Sequence, residues 1–190
     1  MEIVDYKQKL NIVVIPEILS CDFISFNEKV ILSLHYTFSI KSGYTNLLSK
    51  DIAELLCLHK NIVSLCHTNL ILLELIEKKG GKIRLTNKLK ELKNLSKDKR
   101  TVLIPFEIYH TNIPAGAKLL WAEYNSLSKG KEIYFAKRET TAQRLGCNIE
   151  SITNWTKVLN KRGFLEDYWL VHGYACNQKR VITTTFKRRN

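Results

Sequence analysis

Residues 140–166 read TTAQRLGCNIESITNWTKVLNKRGFLE: one helix-forming stretch that stops at Gly146, a second that restarts after Asn148, then an Arg162-Gly163 exit and the apolar pair Phe164-Leu165. At about 100° of turn per helical residue, Ile152, Trp155, Val158 and Leu159 gather on one side of the second stretch. Glu150, Thr153, Asn154, Lys157 and Lys161 gather on the other, so one face is suited to packing and the other to solvent or a ligand. Ala142 is small enough for close helix approach, Gly146 permits the sharp turn, and Asn148 is placed to cap the second helix. This pattern predicts a helix-turn-helix whose second helix can enter a major groove. Downstream, Tyr168–Val171 and Val181–Phe186 are expected to be strands, with His172–Arg180 as their loop, forming a wing after the helix.

The same plan occurs twice. Shifting the sequence by 89 residues aligns Val13, Ile15 and Pro16 with Val102, Ile104 and Pro105, Lys29 with Lys118, Ala53 and Leu56 with Ala142 and Leu145, and Glu77 with Glu166. Each copy predicts a short strand, a helix, a short helix, a longer helix and a hairpin. In the first copy the strand is expected over Ile12–Ile18. The next helix should start at Ser25, where Glu28 completes a capping-box pattern, and run to about Ser39. In the second copy Pro114 suits a first helical turn, and Leu119, Leu120 and Tyr124 face inward. Gly80-Gly81 marks a hairpin tip, and 86–100 is expected to form a basic linker helix with Leu89, Leu92 and Leu95 on one stripe. The fold class expected is therefore mainly α with small β-hairpin wings (α+β). Its parts are a first domain over 1–85, the linker over 86–100 and a second domain over 101–190.

The charge is unevenly spread. Of a net +12, residues 1–77 hold six Lys/Arg against nine Asp/Glu, 78–100 hold ten against two, and 101–190 hold fourteen against seven. A polyanionic partner would meet the linker and the second copy, where positive potential is concentrated. The apolar and charged fractions are those of an ordinary globular chain. The longest apolar run, Leu70–Ile76, is broken by Glu74, so no membrane span is expected and a cytoplasmic, nucleoid-associated location is. Five cysteines without framework spacing fit reduced thiols.

An Ile104-Pro105 start, then IPAGAKLLWAEY over 113–124 and AQRLGCNIESITNWTKVLNKRGFLE over 142–166, resembles the winged helix-turn-helix proteins of bacterial, phage and plasmid regulators and replication proteins. Ala142, Leu145, Gly146, Ile152, Trp155, Leu159, Gly163 and Leu165 sit where that family keeps its framework. The likeness covers most of 102–186, and 13–85 more loosely. It implies double-stranded DNA as partner, and two tandem copies look like the architecture of plasmid replication initiators. Transcription regulator and replication initiator both stay open.

On this reading the residues expected to touch DNA are Asn148, Glu150, Ser151, Thr153, Asn154, Lys157, Lys161 and Arg162 on the second helix, Lys179 and Arg180 near the wing tip, and Lys187 and Arg188 in the tail. Asn154 can offer adenine both a donor and an acceptor, Lys157 can reach guanine or phosphate, and Glu150 can accept from cytosine or simply favour the helix N-terminus. A solvated face of an amphipathic helix would look the same in composition. In the first copy Asn61, Ser64, Leu65, Thr68 and Leu72 occupy the equivalent outward positions, an uncharged face poorly suited to phosphate. Leu65 and Leu72 are expected either to form a homodimer interface or to pack inside the monomer. Cys57, His59, Cys66 and His67 match no usual ligand spacing, so no metal is expected, and His110 and His172 stand alone. No phosphate loop, HExxH or Gly-x-Ser-x-Gly motif occurs, so neither an enzyme nor a cofactor or small-molecule ligand is expected. The rival function is a protein-interaction module that binds no DNA.

Overall fold

The computed structural model describes residues 10–93, 100–128, 134, 136–172 and 177–185; of residues 90, 92, 93, 168–172 and 177–181 it describes the backbone. The chain is mainly helical, with three two-stranded antiparallel pairs among the described residues. In the first repeat β1 (Ile12–Val14) is followed by α1 (Pro16–Ser20), α2 (Phe26–Ser39), α3 (Ser49–Leu56), α4 (Lys60–Leu72) and the hairpin β2 (Ile76–Lys79) and β3 (Lys82–Leu85). After α5 (Lys88–Lys93) the order recurs as β4 (Val102–Ile104), α6 (Phe106–Tyr109), α7 (Ala115–Ser128), α8 (Arg138–Leu145), α9 (Ile149–Lys161) and the hairpin β5 (Leu165–His172) and β6 (Asn177–Thr184).

Local signals account for most boundaries. Ser25 and Glu28 form the reciprocal capping box: the Ser25 amide donates to Glu28 Oε2 at 2.6 Å and the Glu28 amide to Ser25 Oγ at 3.3 Å. Gly80 and Gly81, at φ of +56° and +74°, make the two-residue turn that a tight right-twisted hairpin requires. The strand expected over Ile12–Ile18 stops at Val14, because Pro16 has no amide to give a ladder and its fixed φ suits a first helical turn. The second hairpin is longer than expected: its strands are Leu165–His172 and Asn177–Thr184, not 168–171 and 181–186, and the loop is correspondingly shorter. Asn177 to Arg180 carry little strand propensity, yet pairing to 169–172 holds them in the ladder. Helix in the linker covers Lys88–Lys93 with Leu89 buried; Leu95 and the rest of 94–99 lie outside the described residues, as do the side chains of Leu92 and Lys93.

The two repeats share one core. β1 pairs antiparallel with β4, in the register Ile12↔Ile104, Val13↔Leu103 and Val14↔Val102, so the strand that opens each repeat pairs with its own counterpart. Antiparallel pairing of equivalent elements is what a two-fold relation produces. Buried side chains from α2 (Val30, Ile31, Leu34) and α7 (Leu119, Leu120, Trp121, Tyr124) belong to one continuous cluster. Matching contacts recur at the 89-residue offset. Thr45 bridges Ile83 in the first hairpin and its counterpart Tyr134 bridges Ile182 in the second, which lies beyond the position equivalent to Ile83 because that hairpin is longer. His35 Nε2 meets His67 Nε2 at 2.9 Å where Tyr124 and Thr156 hydroxyls meet at 3.0 Å.

Candidate nucleic-acid interface

The turn between α8 and α9 is built as its residues dictate. Gly146, at φ +66°, is left-handed, and the amide of Cys147 donates to Ala142 O at 3.0 Å, closing the end of α8. Asn148 Oδ1 accepts from the Ser151 amide at 2.7 Å and starts α9. In the first repeat Cys57 occupies the same left-handed place, at φ +52°.

α9 is two-faced. Ile152 and Leu159 are fully buried, and Thr156, also buried, donates back to Ile152 O at 2.7 Å. Trp155 is half-buried, its ring edge-on to Phe26 of α2 with centroids 4.7 Å apart. Asn148, Glu150, Asn154, Lys157, Lys161 and Arg162 are exposed, and Ser151 and Thr153 are half-buried. The Thr153 hydroxyl donates to Ile149 O at 3.1 Å, so toward a ligand it offers mainly its acceptor and its methyl.

Beside this face runs a groove of about 370 Å³ lined by Arg138, Thr153, Thr156, Lys157, Asn160, Lys161 and Asp167. It brings together Thr153, Lys157 and Lys161 from the expected set, and adds Arg138 from the start of α8 and Asn160, which the sequence did not single out. Three cations against one carboxylate give the groove a positive balance suited to a phosphate-bearing strand. Asn148, Glu150, Ser151, Asn154 and Arg162 lie outside its lining. Lys179 and Arg180 are strand residues of β6, paired with Leu170 and Trp169, and their side chains lie outside the described residues; so do Lys187 and Arg188 altogether.

Not every cation of the second repeat faces solvent. Glu123 of α7, buried, accepts from Arg144 Nε at 2.6 Å and from Arg100 Nη2 at 2.8 Å. These pairs tie α8 and the approach to β4 onto α7, and the guanidinium of Arg144 is spent on structure.

On the first repeat, the outer face of α4 mixes uncharged polar residues (Asn61, Ser64 and Thr68) with exposed apolar ones. Leu65 is 62% exposed and Leu72 75%, so neither packs inside the chain, and Ile62 and Ile71 extend the exposed surface. The histidines nearby have structural tasks. His59 Nδ1 accepts from the Asn61 amide at 3.3 Å, capping α4. Burial pushes His35 down to about 3 and also lowers His67, so the pair shares one hydrogen between two neutral rings. His110 stacks on Phe106 with centroids 4.8 Å apart. Among the described residues no three His, Cys, Asp or Glu side chains are grouped to hold a metal ion, and no single helix is long and apolar enough to cross a membrane. No known family model matches the chain, and a comparison with curated proteins finds no relative.

Proposed function

We propose that the two repeats are tandem winged helix-turn-helix domains and that the second binds double-stranded DNA through α9. The observation that carries this is the pairing of a solvent-facing Asn154-Lys157-Lys161 surface with the positive groove formed with Arg138, on a helix whose opposite side is anchored in the core. Lys157 and Lys161 neutralise phosphates, and the exposed amide of Asn154 reads a base edge; Glu150 sits in the first turn, where it either accepts from cytosine or offsets the helix dipole. The function is recognition without a chemical step, in a transcription regulator or a plasmid or phage replication initiator working in the cytoplasm.

The first repeat, on this proposal, does not enter a groove. Its outward α4 face carries no charge and exposes Ile62, Leu65 and Leu72, a surface that can meet its own copy about a two-fold axis. The chain then acts as a homodimer that presents two α9 helices to paired half-sites.

Gel retardation with a pool of random-sequence duplexes tests the reading. Retardation at low salt is expected, and its absence there eliminates DNA as the partner. Lys157→Ala with Lys161→Ala should weaken binding to all sequences and reduce the salt slope by about 2, one for each phosphate no longer neutralised. Asn154→Ala should instead change which sequences are enriched, since a good bidentate base contact is worth ~1–3 kcal/mol of discrimination.

A further inference from the structure

Two lysines are buried in the core, and each reaches across to the other repeat. Lys29 of α2 is 1% exposed; its Nζ donates to Leu19 O at 2.7 Å and to Leu145 O, the last residue of α8, at 2.6 Å. Lys118 of α7 is 1% exposed as well, and its Nζ donates to Tyr109 O at 2.8 Å and to Leu56 O, the last residue of α3, at 2.6 Å. Leu56 and Leu145 are equivalent at the 89-residue offset, as the lysines are, so the repeats exchange the donor that closes each helix-turn-helix. The C-terminal carbonyls of a helix lack intrahelical partners and carry partial negative charge, which makes a buried ammonium a fitting cap. Burial nonetheless lowers both lysines to about 8, so such a group persists only where a specific contact needs it.

The exchange is elaborated in one direction only. Lys29 Nζ also stands 4.9 Å from the centroid of the Phe26 ring, and Phe26 meets Trp155 of α9 edge-on. From the first repeat, α2 therefore grips both helices of the second motif: α8 at its last carbonyl and α9 at its tryptophan. Toward the first motif the counterparts of Phe26 and Trp155 are Ala115 and Cys66, which cannot form an aromatic pair. Gly146 is fitted to the arrangement too, since a Cβ there would lie 3.2 Å from Ser20 O and 3.4 Å from Lys29 Nζ.

We infer that Lys29 and Phe26 are positioning residues for the reading helix: the first repeat holds α9 in place against DNA without touching DNA itself. The inference rests on the proposed binding of duplex by α9. Lys118 supplies the control, because it matches Lys29 in burial and bonding but closes the opposite turn.

The experiment compares the full-length protein with Lys29→Met and Lys118→Met, matched for stability by urea denaturation, using duplex retardation and amide hydrogen exchange. Lys29→Met should weaken duplex binding about tenfold, the scale of one displaced base contact. It should speed exchange of the Cys147 amide, while Lys118→Met speeds that of Leu58 in the other turn and leaves affinity within about twofold. Equal losses of affinity in the two variants would reduce both lysines to general stability and overturn the inference, as would unchanged Cys147 exchange in folded Lys29→Met. If Lys29→Met does not fold, Phe26→Leu takes its place: weaker duplex binding in a folded protein is expected, and unchanged binding overturns the inference. If the unaltered protein retards no duplex, the DNA proposal fails, and the contrast between Cys147 and Leu58 exchange alone decides whether the first repeat holds the α8–α9 turn.

Discussion

Gly116→Ala is a helical substitution whose sign the structure reverses. In an open helix, replacing glycine by alanine gains ~1 kcal/mol from reduced backbone freedom in the unfolded chain. Gly116 lies in α7 beneath the reading helix, and a Cβ there would fall 2.1 Å from Trp155 Cζ2, 2.4 Å from Cη2 and 2.5 Å from Cε2. Ordinary carbon contacts need roughly 3.5–4.0 Å, so the indole must retreat by about 1.5 Å. That movement also disturbs the edge-on contact between the indole and Phe26, whose ring centroids are 4.7 Å apart. Overpacking of this kind costs ~1–3 kcal/mol, and parting the two rings adds ~0.5–1.5 kcal/mol. Set against the helical gain, the net expectation is a destabilisation of about 1–3 kcal/mol. Urea denaturation measures it directly, and Trp155 emission, isolated by comparison with Trp155→Phe, reports whether the ring has moved toward water. A variant as stable as the parent, with unshifted Trp155 emission, would refute the wedge between α7 and α9.

Three further outcomes follow from the first repeat. Leu65→Glu with Leu72→Glu should leave the fold intact and give a monomer in sedimentation; a parent that is itself monomeric at the same concentration would dismiss the α4 interface. The His35–His67 pair makes stability fall in acid: both rings are held below their unfolded value of 6.5, so as pH drops below 6.5 the unfolded chain takes up protons that the folded one refuses. Between about 3 and 6.5 the slope from His35 alone approaches ~1.4 kcal/mol per pH unit, and His35→Tyr with His67→Thr, the pair used by the second repeat, should flatten the decline between pH 6.5 and 5. Cys57→Gly relieves a non-glycine residue of its left-handed backbone and should raise stability by ~1 kcal/mol in thermal unfolding, whereas a lowered midpoint would mean that the thiol's packing outweighs the strain.

Short-range chemistry was readable wherever one or two residues settle a conformation. Ser25 with Glu28, Gly80 with Gly81, and Gly146 with Asn148 each satisfy or release the backbone within a few positions, and each is found in its expected role. The apolar stripe of α9 was readable for the same reason, as Ile152 and Leu159 recur at helical spacing and are buried. Reading failed where pairing overrides preference. Asn177–Arg180 resembles a loop in composition, but a partner strand draws it into a ladder, and Pro16 turned an expected strand into a helix after three residues. Arg138 and Asn160 were missed because the groove they line forms only when the start of α8, the end of α9 and β5 converge.

The periodicity and the 89-residue repeat determined that α9 would have a buried side and a polar side, since both are consequences of helical geometry acting on neighbouring residues. Matching Lys29 to Lys118 also showed that a charge recurs in an otherwise apolar setting, though not why. Only the tertiary structure decided that each lysine closes the other repeat's turn, across 116 residues for Lys29 and 62 for Lys118, and that β1 pairs with β4. The physical reason is that a buried ammonium takes whichever unpaired carbonyl the assembled core brings within hydrogen-bond reach, and that is settled by how the two repeats pack together.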